Sequence, residues 1–168
     1  ASNQLDEDVI HSLNQQGAPI DVFGVGTRVA TAYDCPALDG VYKLSEAGGE
    51  PRIKISESYR KVNFPSVKRV ERLLDDEGQF YGDVVALADE EGVDHMYHPC
   101  RRESLLRPVV NDGSVETDIS TAKEASDYRR RRLEQLPEGH KRFENPHIYK
   151  VGLSHQLHQL RQELIEQN

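Results

Sequence analysis

The sequence has no tryptophan, one methionine and only two cysteines in 168 residues, and each scarcity removes a class of answers. Cys35 and Cys100 cannot build the disulfide framework of a small secreted domain. With no secretory signal at the visible start, they read as reduced intracellular thiols. Apolar residues are also sparse, at 36% with tyrosine counted. On the usual basis, with glycine in and tyrosine out, the share is roughly 39% against about 45–50% for globular chains. Such a chain buries a thin core and suits a piece that leans on partner segments. No apolar run approaches the ~18 residues of a membrane span, so a soluble, cytoplasmic protein with no membrane partner is expected. Positive charge is in deficit, 21 Lys and Arg against 29 Asp and Glu for a net charge of −8. That balance argues against nucleic-acid binding, which rests on clustered cations that neutralise phosphates. The single basic run, Arg129 to Arg132, has Asp127 four before Arg131 and Glu134 four after Arg130, the spacing of a solvated helix face with i,i+4 pairs. No G-x-S-x-G elbow, Walker lysine loop or Cys-His dyad pattern is present. The chain opens on Ala1-Ser2-Asn3, which sets the expectation of a processed chain or one cut from something longer.

What is present centres on Ile20-Asp21-Val22-Phe23-Gly24-Val25-Gly26-Thr27. Ile20, Val22 and Phe23 read as a short buried strand. Gly24 and Gly26 then remove Cβ where the backbone turns sharply or lets something approach. Successive amides beside the Thr27 hydroxyl make a concave anion trap suited to phosphate. A plain strand-ending turn carries the same two glycines, and spacing alone leaves both readings open. Arg28, next in line, is placed either to neutralise a phosphate or to pair with an acid.

Upstream, Leu5, Val9, Ile10 and Leu13 share one face of a helix expected over 3–16, with Ser2 or Asn3 as N-cap, acids in its first turn and Gly17 at its C-terminus. Helix, turn, buried strand and glycine loop make half of a βαβ repeat, in a parallel sheet covered on both sides. Downstream of Gly40 the pattern changes to antiparallel β. Val41–Leu44 and Arg52–Ile55 alternate around Ala47–Pro51 as a hairpin, and Val67–Leu74 and Gln79–Leu87 form a second pair around Asp75–Gly78. Residues 88–118 read as irregular with a strand at Leu105–Val110. A helix is expected from Asp118 to Leu136, an extended run at 147–152, and a final helix from about Ser154. In that last helix Leu153, Leu157, Leu160 and Leu164 form a packing stripe opposite a polar face that includes Arg161 and Glu163. The domains expected are therefore 1–40 and 41–168. His95, His98 and Cys100 with Glu103 superficially resemble metal ligands. A closed zinc site needs a second pair that the sequence lacks, so no metal is assigned. His155 and His158, one helical turn apart, read as surface or packing residues.

Taken together, Ser2-Asn3-Gln4-Leu5-Asp6-Glu7, the run from Gln16 to Arg28, Tyr33-Asp34-Cys35-Pro36-Ala37-Leu38, Gly40 to Leu44, Pro51 to Glu57 and Asn145 to Ser154 resemble nicotinate phosphoribosyltransferases from end to end in the same order. The resemblance implies an α/β fold: the last elements of an irregular, TIM-like phosphoribosyltransferase barrel, then an antiparallel β-rich segment and C-terminal helices that pack with an N-terminal part of the same enzyme. It implies synthesis of nicotinate mononucleotide from nicotinate and 5-phosphoribosyl 1-diphosphate, coupled to ATP hydrolysis. ATP and magnesium would serve as co-substrate and ion, with no tightly bound cofactor, and the enzyme would be a homodimer. Gly24, Val25, Gly26 and Thr27 would hold the ribose 5-phosphate, with Ser2 and Asn3 lining the same pocket. Arg28 matches the family's usual residue with no contact implied. Catalytic residues would lie outside this chain, leaving it inactive alone. A non-catalytic phosphate-binding or interaction module derived from the fold, or a nicotinamide- or quinolinate-type enzyme, are the rival expectations. The chain departs from the family pattern at Gln4, where Asp is common, at Asp39 and Ser66, where Gly is common, and at Glu71, where Tyr is.

Overall fold

A computed structural model describes residues 1–37, 40–58, 61–91, 101–117 and 120–167. The chain forms two compact units, Ala1–Tyr42 and Lys43–Asn168.

In the first unit, helix α1 spans Glu7–Gln15. It starts later than the apolar spacing suggests, because Asn3 and Gln4 take left-handed φ values of 79° and 53° and cannot enter a helix. Asp6, rather than Ser2 or Asn3, is the N-cap, and its Oδ1 accepts the Val9 amide at 2.8 Å. At the other end Gly17 N–H bonds Asn14 O and Ala18 N–H bonds Leu13 O, the paired closure of a Schellman motif. The expected strand at 20–24 is reduced to one parallel bridge, Ser2 to Gly24. The Ala1 ammonium bonds Val22 O and Gly24 N–H bonds Ala1 O, both at 2.7 Å. Val22 is 74% exposed, so this segment is not covered on both faces within the unit. The one-turn helix α2, Thr27–Ala30, follows directly.

In the second unit, β1 (Glu46–Ala47) and β2 (Glu50–Pro51) pair around Gly48-Gly49. The two glycines have φ of 63° and 78°, as a two-residue turn matched to strand twist requires. Neither expected arm, Val41–Leu44 or Arg52–Ile55, is a strand: the ladder falls at the expected connector, and Val41, Tyr42, Leu44 and Ile55 are exposed rather than buried on one face. Asn63 bridges those arms instead, accepting from Lys54 N–H and donating to Leu44 O and Arg52 O. Ser66, where the resemblance leads one to expect glycine, has φ of 61°. Its hydroxyl donates to Glu46 at 3.0 Å, which fastens this strained residue to β1.

The main sheet runs β5-β3-β4-β8, with β3 Lys68–Leu74, β4 Phe80–Leu87, β5 Arg101–Ser104 and β8 Val151–Leu153. The β3–β4 hairpin follows the expected alternation. Phe80, Gly82, Val84 and Ala86 are buried in turn along β4, and Asp75 Oδ1 closes the turn on the amides of Glu77 and Gln79. Two expectations are corrected. The sheet is mixed rather than antiparallel, because β8 runs parallel to β4. The strand expected at Leu105–Val110 is found instead at Arg101–Ser104, beside β3; a second small hairpin, β6 (Val110–Asn111) with β7 (Ser114–Val115), takes the end of the expected segment. A run of Arg-Arg-Glu-Ser has no apolar alternation, yet it suits an edge held by charge. Arg102 pairs with Glu71 at 3.0 Å, which gives the unusual Glu71 its partner.

Helix α3, Ala122–Glu134, begins at a full capping box between Thr121 and Glu124. Asp118 and Ile119, where it was expected to start, lie outside the described residues, as do His95, His98 and Cys100. The basic run is only partly a solvated face. Asp127 pairs with Lys123 and Arg130, not Arg131, whereas Arg132 reaches Glu103 at 2.6 Å and lies against the Phe80 ring. Helix α4, His155–Glu166, is N-capped by Ser154 and packs on β4. Its buried residues are Leu157 and Arg161. Arg161, expected on the polar face, turns inward beside Phe64 and donates to Val62 O.

Arg72 forms a two-point bond to Asp83 at 2.8 Å, and Tyr149 donates to the same carboxylate at 2.9 Å. The phenol of Tyr149 is pushed up to about 12, first by burial and then by that hydrogen bond and the charge of Asp83. An ordinary tyrosine titrates near 10. The folded state therefore keeps this proton where the unfolded chain has lost it, a contribution fully present below about pH 10 and lost as pH rises toward 12. Stability is expected to fall across that window and Tyr149→Phe to flatten the fall. Urea midpoints measured from pH 9 upward check this; identical slopes in the two proteins would remove Tyr149 as the cause.

Candidate phosphate-binding site

In the first unit the segments next to the Ser2–Gly24 bridge frame a concavity of about 440 Å³, lined by Asn3, Gln4, Leu5, Gly24, Gly26, Thr27, Arg28 and Tyr33. Its floor exists because the chain at Ser2 and the chain at Gly24 lie side by side. A Cβ on Gly24 would stand 3.3 Å from Ser2 Cβ, closer than such atoms comfortably approach, so glycine permits the bridge. At Gly26 the same atom would meet nothing within 4 Å. Space beside Gly26 is therefore open, and a backbone without Cβ can be approached closely.

Of the residues singled out in the sequence, Gly24, Gly26, Thr27, Asn3 and Arg28 come together on this wall. Ser2 supports it from behind through the bridge to Gly24. Val25 is half-buried and does not line the concavity. Gln4 and Tyr33 do line it, although sequence reasoning gave neither a place in the site. The one available hint for Gln4 was its departure from the family's usual acid. Tyr33 lies beyond the last turn of α2, where no periodicity points at it; its amide bonds Arg28 O at 3.1 Å and fixes its position.

Positive charge at the rim comes from Arg28, whose guanidinium carbon lies 4.4 Å from the Tyr33 ring centroid and whose Nη1 is 3.0 Å from Asp6 Oδ2. The two sequence options for Arg28, a partner acid or a ligand, are thus not exclusive, since a guanidinium offers five N–H donors. The backbone at Gly26, the Thr27 hydroxyl and the Arg28 guanidinium around a small concavity are groups of the kind that suit a phosphate monoester, while the Gly24 amide is already donated to Ala1 O. Chemically, such a wall suits anion recognition rather than covalent chemistry, since none of its residues is a nucleophile paired with a base. Among the described residues, no group of three or more His, Cys, Asp or Glu side chains is placed to hold a metal ion, and no helix is long and apolar enough to cross a membrane.

The chain resembles known proteins along nearly its whole length. The family model described as nicotinate phosphoribosyltransferase C-terminal domain matches residues 67–161. The nicotinate phosphoribosyltransferase of Bos taurus is 33% identical over 174 residues, covering 95% of this chain and 32% of its own length. That of Caenorhabditis elegans is 34% identical over 185 residues, covering 100% and 33%. Nicotinate phosphoribosyltransferase 2 of Arabidopsis thaliana is 35% identical over 176 residues, covering 94% and 32%. The crystal structure of human nicotinic acid phosphoribosyltransferase superposes with a TM-score of 0.68 at 27% identity, over 98% of this chain and 32% of that one. The chain spans about a third of the length of the curated relatives that it matches.

Proposed function

Because the chain belongs to the nicotinate phosphoribosyltransferase family and carries its C-terminal domain, we propose that the Gly24–Thr27 loop is the ribose 5-phosphate cradle of an enzyme that makes nicotinate mononucleotide. The substrates are nicotinate and 5-phosphoribosyl 1-diphosphate, with ATP hydrolysis coupled to the transfer and magnesium as the accompanying ion. On this reading residues 1–40 are the last elements of a TIM-like barrel. Residues 41–168 are the β-rich and helical region that packs with the N-terminal part of the enzyme. The active enzyme is a cytoplasmic homodimer, and this third of it is inactive alone. The observation that carries the reading is the concavity that brings Asn3, Gly24, Gly26, Thr27 and Arg28 onto one wall.

The role of this wall follows from the chemistry of glycosyl transfer. Displacement at an anomeric carbon passes through an oxocarbenium-like state, and catalysis then consists largely of positioning and charge stabilisation. A rigid anchor on the 5-phosphate fixes one end of the sugar, so that its anomeric carbon meets the pyridine nitrogen. Thr27 donates one hydrogen bond to a charged oxygen in this scheme. Thr27→Ala in the complete enzyme is expected to weaken binding of the phosphoribosyl donor by about 1.5–3 kcal/mol. The check is the donor dissociation constant by calorimetry alongside its KM. If neither moves, Thr27 is not a phosphate ligand.

A further inference from the structure

Asp6 is 8% exposed and divides its two oxygens between separate tasks. Oδ1 accepts the Val9 amide at 2.8 Å and caps α1, while Oδ2 lies 3.0 Å from Arg28 Nη1. One carboxylate thus ties the start of a helix to the arginine that follows the glycine loop. Arg28 is held on a second side by the Tyr33 ring at 4.4 Å. Asp6 itself is absent from the lining of the concavity, whereas Arg28 and Tyr33 are part of it. A long side chain one-third exposed would otherwise sample many rotamers, and ordering it on binding costs entropy.

We propose that Asp6 is a positioning residue: through the Asp6–Arg28 ion pair it pre-orders the guanidinium against Tyr33, so that the remaining N–H donors of Arg28 meet the sugar phosphate. This role presupposes that the Gly24–Thr27 loop is a phosphate cradle. The double use of Asp6 makes it separable from a purely structural one. In Asp6→Asn, the amide oxygen still accepts from Val9 N–H, so the cap survives. The NH₂ group then faces Arg28, and the charge that orders the guanidinium is gone. Asp6→Ala loses both functions.

The test measures KM for 5-phosphoribosyl 1-diphosphate, KM for nicotinate and the thermal midpoint in the complete enzyme. The variants are Asp6→Asn, Asp6→Ala, Arg28→Gln, Asp6→Asn with Arg28→Gln, and Thr27→Ala. Asp6→Asn is expected to raise the donor KM about three- to tenfold, the range of a partly exposed charge-assisted contact. It should leave the nicotinate KM and the midpoint unchanged, whereas Asp6→Ala lowers the midpoint. The double variant should be no worse than Arg28→Gln alone, since Asp6 acts through Arg28. A donor KM that stays at the parent value in Asp6→Asn while rising in Thr27→Ala would reduce Asp6 to a helix cap and leave the cradle standing. Additive effects in the double variant would also overturn the proposal. Thr27→Ala with an unchanged donor constant would instead remove the cradle itself, a distinct failure.

Discussion

Phe80→Ala is expected to destabilise the second unit by about 3–5 kcal/mol, the usual loss for a buried phenylalanine truncated in place. The ring is 7% exposed and opens β4, and it serves more than the apolar core. The guanidinium carbons of Arg72 and Arg132 lie 4.2 and 4.6 Å from its centroid. Through those cations the ring connects two ion pairs on different elements, Arg72 with Asp83 and Arg132 with Glu103. The Phe80 amide also donates to Gln135 O, at the end of α3. Truncation therefore opens a cavity and takes from two partly buried guanidinium groups the nearer of their aromatic faces, leaving Tyr149 at 5.7 Å from Arg72 and Tyr128 at 5.9 Å from Arg132. Phe80→Leu separates the contributions. It restores most of the apolar volume and is expected to cost about 1–2 kcal/mol, the part owed to the ring's quadrupole and shape. Urea denaturation of the three proteins provides the check. A loss below about 1 kcal/mol for the alanine variant, well short of the buried-ring range, would show that the arginines and not the ring hold this corner.

Leu157→Ala is the second large effect, at about 2–5 kcal/mol, and it should act locally before it acts globally. Leu157 has no exposed surface, and only it and Arg161 are buried on α4. Removing one of two anchors leaves the helix with its N-terminal fastening: Ser154 caps Leu157 N–H, bonds Glu90 at 2.5 Å, and its own amide meets Val85 O. Hydrogen exchange along residues 157–166 is thus expected to accelerate at denaturant concentrations where β3 and β4 remain protected. Leu157→Met, close in volume, should cost under about 1.5 kcal/mol. Uniform acceleration across the sheet and the helix would show that α4 opens only with the whole unit.

The elements that could be read from the sequence are those whose stabilising contacts are close along the chain. The alternation of 68–74 and 80–87 around Asp75–Gly78 contains both strands and their turn; α3 is expected from Asp118, and that reading misses the local signal that sets its start, Thr121 with Glu124. The elements that could not be read depend on distant partners. Arg101–Ser104 is a strand because β3 is beside it and Glu71 answers Arg102, neither of which its own residues announce. Arg132 and Arg161 look like solvated positions on their helices, and only Phe80, Glu103 and Phe64 turn them inward. At the candidate concavity, the glycines stood out in the sequence because a missing Cβ is a local signal, and Thr27 because its hydroxyl follows them directly. Asp6 was read merely as first-turn acidity, because its bond to Arg28 spans the whole helix and the bridge.

The parallel strand β8 has a consequence in time. The β3–β4 hairpin closes through a five-residue turn, a microsecond event for an isolated hairpin. The Tyr149 hydroxyl, just ahead of β8, meets Asp83 from 66 residues away, and β8 joins the sheet only when that long loop has closed. Loop-closure entropy must be met before such a contact returns anything. The fourth strand is therefore expected to join last: the Arg72–Asp83 pair lies within the hairpin, and Tyr149 completes it from a distance.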